Sequence, residues 1–239
     1  MRTSALLRPL PLEFAGGIDY TDLRKELSYA DVEALCLEAS IYGVRAVVVP
    51  SMLVSQTARC LGNSIPLSCA IGYPFGTQAA RVKGREAEEA VKQGASELEI
   101  VPHFGALRAN RWTDVESELR FIRQAAGEAT LKLVLEAESL SSAEIERICS
   151  MARATGYAFV SNTIGFRTVS TQPGTEGAAT VESVKRLAKL SAGLVEVKAV
   201  GGVHSLGDLK QLLGAGATRV AVPARRGTLG TWTAEGKQP

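Results

Sequence analysis

The sequence lacks long apolar runs, a surplus of either charge and any paired cysteine motif. No stretch approaches the roughly 18 consecutive apolar residues of a membrane helix, which argues against a spanning protein. The 27 basic and 25 acidic side chains leave a formal charge of +2. So small a surplus gives no reason to expect nucleic acid or a membrane surface as partner. The four cysteines (Cys36, Cys60, Cys69 and Cys149) form no C-x-x-C pair and fit no zinc spacing. Free thiols in a reducing cytoplasm are the expectation. The stretch Met1–Leu12 is broken by Pro9 and Pro11 and makes a poor signal peptide, in keeping with a cytoplasmic protein. No linker or composition shift divides the 239 residues, so a single domain is expected.

What the chain does have is an alternation. Short β-branched or apolar runs occur at Gly17–Thr21, Ala46–Pro50, Leu67–Tyr73, Glu97–Val101, Leu131–Ala137, Ala158–Thr163, Leu194–Ala199 and Arg219–Val222. Amphipathic stretches lie between them. Tyr29–Tyr42 carries Val32, Leu35, Cys36 and Ala39 on one stripe. Thr113–Ala126 opens with Thr113 as a candidate N-cap and Glu116 three residues on. Ala143–Thr155, Thr180–Leu190 and Ser205–Leu213 follow the same pattern, with glycines at 156, 214 and 216 suited to helix ends. Eight strand–helix units imply parallel strands with right-handed crossovers, hence one (β/α)8 TIM barrel over residues 15–224. A doubly wound open sheet is the alternative. Residues 1–14 read as an N-terminal extension. Residues 225–239, rich in Gly, Thr and Lys, read as a loose tail in place of a full last helix.

Ionisable residues interrupt several strands with period two. Glu97 and Glu99 alternate with Leu98 and Ile100. Lys132, Val134 and Glu136 alternate with Leu131, Leu133 and Leu135, and Glu196 and Lys198 alternate with Val195 and Val197. The apolar set should face the helices and the charged set the barrel interior. Buried charges must pair or serve a site. Barrel active sites lie at strand C-termini, which singles out Glu99, Glu136, Ser161, Thr163 and Lys198. Glu97, Lys132 and Glu196 lie deeper and read as structural.

Six ordered segments then resemble the deoxyribose-phosphate aldolase family. Ile18-Asp19-Tyr20-Thr21 is similar to I-D-H-T, and Ile71-Gly72-Tyr73-Pro74-Phe75-Gly76 to I-G-F-P-x-G. Glu97-Leu98-Glu99-Ile100-Val101 with Gly105-Ala106-Leu107 is similar to E-I-D-M-V and G-A-L. Leu131–Glu136 resembles L-K-V-I-I-E, Val197–Val203 resembles V-K-A-S-G-G-I, and Ala215–Arg219 resembles A-G-A-T-R. The resemblance implies a barrel, a class I aldolase ancestry, no cofactor, a homodimer, and a small carbonyl substrate with or without a phosphate.

The departures fall where the family does its chemistry. Its Schiff-base lysine lies in F-V-K-T-S-T-G-F, and here Phe159–Phe166 places Ser161 at that lysine. A hydroxyl forms no iminium. The family's acid in E-I-D-M-V is Glu99, one methylene longer. Its second lysine survives as Lys198, which could be the amine nucleophile, a clamp on an oxyanion, or a structural partner of Glu99. Of the family's phosphate-holding S-G-G turn only Gly201 and Gly202 remain, and its Ser-Ser pair falls on Pro223 and Ala224. Arg225 and Arg226 follow and could hold an anion instead, or form a solvated basic pair. His103 and His204 lie just past strand ends, as proton carriers or as surface loop residues. No tight spacing supports a metal site.

Three functions from different classes follow. One is an enzyme of the aldolase scaffold that works by acid–base and electrostatic means as a lyase, isomerase or cyclase. The second is a class I aldolase with its nucleophile moved to Lys198. The third is a non-catalytic relative that binds a ligand or a protein.

Overall fold

The computed structural model of the chain describes residues 12–165, 179–225 and 228–232. Every expected strand forms: β1 (Ile18–Thr21), β2 (Ala46–Pro50), β3 (Leu67–Ile71), β4 (Glu97–Ile100), β5 (Thr130–Val134), β6 (Phe159–Ser161), β7 (Glu196–Val200) and β8 (Arg219–Pro223). Each runs parallel to the next, and β8 pairs with β1 from Ile18↔Val220 to Thr21↔Pro223. That last ladder closes the sheet. The fold is the (β/α)8 barrel, and the open-sheet alternative is excluded.

The outer layer consists of α1 (Leu12–Ala15), α2 (Tyr29–Tyr42), α3 (Val54–Leu61), α4 (Ala80–Lys92), α5 (Phe104–Arg108), α6 (Trp112–Ala125), α7 (Ser142–Ala154), α8 (Val181–Ser191) and α9 (Leu206–Gly214). Reciprocal capping boxes start α2 (Ser28, Asp31), α7 (Ser141, Glu144) and α8 (Thr180, Ser183). The expected cap at Thr113 does not form. Arg111 occupies the N-cap of α6 without a side-chain bond, because the helix begins two residues earlier than a cap at Thr113 would set and Thr113 falls inside its first turn. Gly214 ends α9 from within and does not follow it. The helices α3 and α4 had no named counterpart among the amphipathic stretches: α3 is only eight residues long, and α4 buries chiefly Ala87, Ala90 and the stem of Lys83.

Both ends of the barrel depart from the expected boundaries. Phe14, placed in the extension, packs against the core. After β8 the described residues contain no helix beyond a 3-10 turn, Leu229–Thr231. Leu229 and Trp232 are nonetheless buried, so this part of the expected loose tail is packed. Residues 1–11 and Arg226 lie outside the described residues.

Strand parity divides the core in two. Ile18, Tyr20, Val47, Val49, Leu98, Ile100, Leu131, Leu133, Val197 and Val220 point outward into the apolar layer beneath the helices. The opposite parity fills the barrel with charge. Lys132 Nζ meets Asp19 at 2.6 Å and Glu97 at 2.7 Å, and Arg219 meets the same two carboxylates at 2.6 and 3.0 Å. The ring of Phe159 lies under both cations, 5.8 Å from Lys132 and 5.4 Å from Arg219. Glu196, expected among these residues, is exposed at the start of β7, in register with Phe159 at the N-terminal mouth of the barrel.

Burial pushes the Asp19 carboxyl upward, but Lys132, Lys198 and Arg219 more than reverse this and hold it far below the usual carboxylate range. Its native value is therefore lower than its unfolded one. The stabilisation is fully present above about pH 4 and disappears as pH falls through the depressed native value. Replacing Asp19 by Asn should cost about 3–5 kcal/mol at pH 7, the usual effect of leaving buried charges unpaired. It should also flatten the loss of stability below pH 4. Guanidinium midpoints at pH 7 and pH 3 measure both effects. A second buried pair, Lys83 with Glu118 at 2.5 Å, lies outside the barrel between α4 and α6. Lys83→Met should lower the pH 7 stability by a similar amount, about 3–5 kcal/mol, in the same denaturation experiment.

Candidate active site

Four strands carry the upper half of the interior. Glu99 on β4, Ser161 on β6 and Lys198 on β7 share the inward parity with Asp19 on β1. Lys198 Nζ is 3.0 Å from Asp19 and is hydrogen-bonded to Glu99 Oε1. The same Glu99 oxygen lies 3.4 Å from Lys132 and accepts from the Ser68 hydroxyl at 3.4 Å. Asp19, Glu97 and Glu99 thus face Lys132, Lys198 and Arg219, three charges of each sign. Burial raises the Glu99 carboxyl, but Lys198 and Lys132 outweigh it and hold Glu99 below its ordinary value. It is a fixed negative charge at neutral pH.

Ser161 stands apart from this set. Strand register puts it beside Lys198 on one side and Val134 on the other. The residue is 1% exposed, and among the described residues its hydroxyl has no hydrogen-bond partner. Leaving a buried hydroxyl unbonded costs roughly 1–3 kcal/mol. Such an orphan in a strand-end position calls for an explanation beyond packing.

Just above lies a second carboxyl. Glu136, past the end of β5, accepts from the Thr163 hydroxyl and the Ile164 N–H, both at 3.0 Å. Burial raises its carboxyl, and the two hydrogen bonds only partly offset that. Val101, Val134 and Ile164 form a small apolar cluster over the same strand ends, with Tyr73 and Phe104 packed against it. Asn162 faces outward and ties β6 to β7: its Oδ1 accepts from the Val200 N–H at 2.8 Å and its Nδ2 donates to the Val200 carbonyl at 3.2 Å.

The structure therefore gathers Glu99, Ser161 and Lys198 in the interior and Glu136 with Thr163 above them. The remaining candidates lie at the rim. Gly201 and Gly202 follow β7 with φ of 86° and 72°, a left-handed turn that suits glycine. Arg225 is exposed beyond β8, its carbonyl 3.4 Å from the buried Tyr20 hydroxyl. His103 and His204 both present exposed rings. Their backbone N–H groups are held by Glu118 and Asp208, each at 2.9 Å. Among the described residues no group of three His, Cys, Asp or Glu side chains is arranged to hold a metal.

Two interior residues escaped the reading of the sequence. Asp19 is a lone acid in a four-residue strand, and Arg219 is the first residue of β8. Each was visible within a family segment. Neither shows as part of a charge alternation, because their partners lie 113 to 200 positions away.

Comparison with known proteins agrees with this geometry. Residues 14–214 match the model of the DeoC/LacD family aldolases. The deoxyribose-phosphate aldolase of Staphylococcus carnosus is 33% identical over 214 residues, 89% of this chain and 94% of that one. That of Lactococcus lactis subsp. lactis is 33% identical over 208 residues, 87% and 91% of the two chains. Among solved structures, the deoxyribose phosphate aldolase of Aeropyrum pernix, described as having a unique tetrameric structure, superposes with a TM-score of 0.77 at 31% identity, covering 89% of this chain and 88% of that one. An aldolase called QR15 superposes with a TM-score of 0.80 at 28% identity, covering 88% and 91%. Barrel closure, the interior charges and these matches agree: the chain belongs to the DeoC/LacD family of aldolases.

Proposed function

We propose that this protein is an aldolase-type lyase that holds and polarises its carbonyl substrate without joining it covalently. The observation that carries this reading is the orphaned Ser161 hydroxyl beside Lys198. A substrate carbonyl oxygen would satisfy that hydroxyl and accept a second, charge-assisted hydrogen bond from Lys198. When a β-hydroxy carbonyl compound is cleaved, the hydroxyl proton passes to a base and the Cα–Cβ bond breaks. The electron pair moves into an enolate, whose oxygen would stay between the same two donors. Preorganised donors aimed at developing charge lower such a barrier most effectively in a dry site. The final step returns a proton to the α-carbon.

The two carboxyls suit different roles. Glu99 is held ionised by its cations and fixes the position of Lys198. Glu136 is raised by burial, which brings it nearer the range in which a carboxyl exchanges protons at neutral pH. Thr163 orients Glu136 through their 3.0 Å hydrogen bond. An anionic group on the substrate would find the Gly201–Gly202 turn and Arg225 at the rim. The relatives named as deoxyribose-phosphate aldolases support a small phosphorylated aldehyde or sugar as the substrate class.

Borohydride reduction in the presence of acetaldehyde or deoxyribose 5-phosphate, read by intact mass, tests the non-covalent step. The native protein should give no adduct. A single adduct that vanishes in Lys198→Ala would overturn the proposal and make Lys198 the Schiff-base nucleophile. The converse experiment is Ser161→Lys. A fourth cation among only three carboxylates sits next to a like charge and gives up its proton more readily. This variant should therefore yield one borohydride-trapped adduct at residue 161. If it folds but traps nothing, the surroundings of residue 161 no longer support iminium chemistry.

A further inference from the structure

On β4, β5 and β7 the ionic layer of the barrel is followed by a branched apolar residue. Val101 stands two positions beyond Glu99, Val134 two beyond Lys132, and Val200 two beyond Lys198. A period of two keeps all three on the inward side. Val101 and Val134 pack with Ile164 in one buried cluster. Val200 meets that cluster from the β7 side. A Cβ at Gly165 would stand 2.9 Å from Val200 Cγ1, so the valine lies against the residue that follows Ile164. The Val200 backbone is fully committed. Its N–H donates to Asn162 Oδ1, and its carbonyl accepts from Asn162 Nδ2 and from the Ala179 N–H at 3.0 Å. Only the isopropyl group is left to face the site.

The exception in this layer is β6. Two positions beyond Ser161 stands Thr163, whose hydroxyl donates to Glu136 at 3.0 Å. The polar groups that a substrate meets on β5–β7 are therefore gathered in two places, at Ser161 with Lys198 and at Glu136 with Thr163. Around them lie Val101, Val134, Ile164 and Val200. A hydroxyl pressed against these four gives up its bonds to water and gains none in return. Two of the four also stand where the family segments carry a hydroxyl: Ile164 at the last threonine of F-V-K-T-S-T-G-F and Val200 at the serine of V-K-A-S-G-G-I. Both replacements are β-branched and stiff, so they make a fixed aliphatic wall.

A β-hydroxy carbonyl compound uses both polar places. Its carbonyl oxygen meets Ser161 and Lys198, and the hydroxyl that gives up its proton meets Glu136. A further hydroxyl on the same carbons would lie against the wall. We propose that Val101, Val134, Ile164 and Val200 determine specificity, and that the substrate is a short aliphatic β-hydroxy aldehyde or ketone with no second hydroxyl on the carbons that touch them. The inference rests on the non-covalent reading of the site and narrows its substrate class from sugars in general to deoxygenated chains. Gly201, Gly202 and Arg225 follow β7 and β8 beyond this layer, so an anionic end group on such a chain is compatible with the wall.

Acetaldehyde release by the whole protein from 3-hydroxybutanal and from 3,4-dihydroxybutanal, which differ by one hydroxyl, tests the inference. The first yields two molecules of acetaldehyde per cleavage and the second yields one beside glycolaldehyde. The native kcat/KM should favour 3-hydroxybutanal about tenfold, the effect of leaving one hydroxyl unbonded. Val200→Thr keeps the shape of the wall and adds a hydroxyl partner, so it should lower that ratio about threefold or more. Val134→Thr is the second variant of the same kind, and both are checked for an unchanged circular dichroism spectrum. Ser161→Ala should slow both substrates alike, since they share the carbonyl group. If the native protein shows no preference, or neither threonine variant moves it, while Ser161→Ala slows both substrates, the wall does not set specificity and the carbonyl site stands. If a threonine variant moves the ratio and Ser161→Ala slows neither substrate, the wall stands and the role of Ser161 falls. If the native protein cleaves neither compound, both proposals fall together.

Discussion

Six ionisable side chains occupy the interior of this barrel, each of them buried. Each must meet an opposite charge within hydrogen-bonding distance, because an isolated ion there would destabilise the fold by several kcal/mol. Asp19, Glu97 and Glu99 meet this demand with Lys132, Lys198 and Arg219, which come from β5, β7 and β8. The strands must therefore be in register around the whole barrel before all six are satisfied. The aromatic floor at Phe159 and the position of Lys198 at the upper end both follow from that closure.

A second set of polar residues works from outside the barrel. Lys83, Glu86 and Glu118 are rooted in α4 and α6, yet their bonds end on the loops after β2, β3 and β4. Asn162, just past β6, ties β6 to β7 directly. The outer helical layer thus sets the geometry of the strand ends. A change on α4 or α6 that leaves the interior charges untouched would still move the groups above them.

The sequence made the barrel legible because parallel strands with two buried faces still alternate when one face is charged. Glu97, Glu99, Lys132 and Lys198 betrayed their side by period two alone. The same rule misjudged Glu196, since parity gives the direction of a side chain and not its depth, and the first residue of β7 is exposed at the mouth of the barrel. Asp19 and Arg219 could not be assigned by pattern, because a single charge in a short strand has no alternation to join. The helices α3 and α4 were missed because one is short and the other packs through alanines and the stem of a lysine. Ser161 was legible from its place at a strand end and as a departure from the family segment. Its lack of a bonding partner is a fact of three dimensions.

The interior set is complete without residue 161. Three carboxylates already answer three cations, and Ser161 borders that balance without entering it. A side chain at this position can gain or lose an amine while the ionic framework that closes the barrel stays as it is. In such a scaffold the ionic demands of folding fall on Lys198 and its partners and not on residue 161. Residue 161 can therefore change without the ionic architecture having to be rebuilt around it.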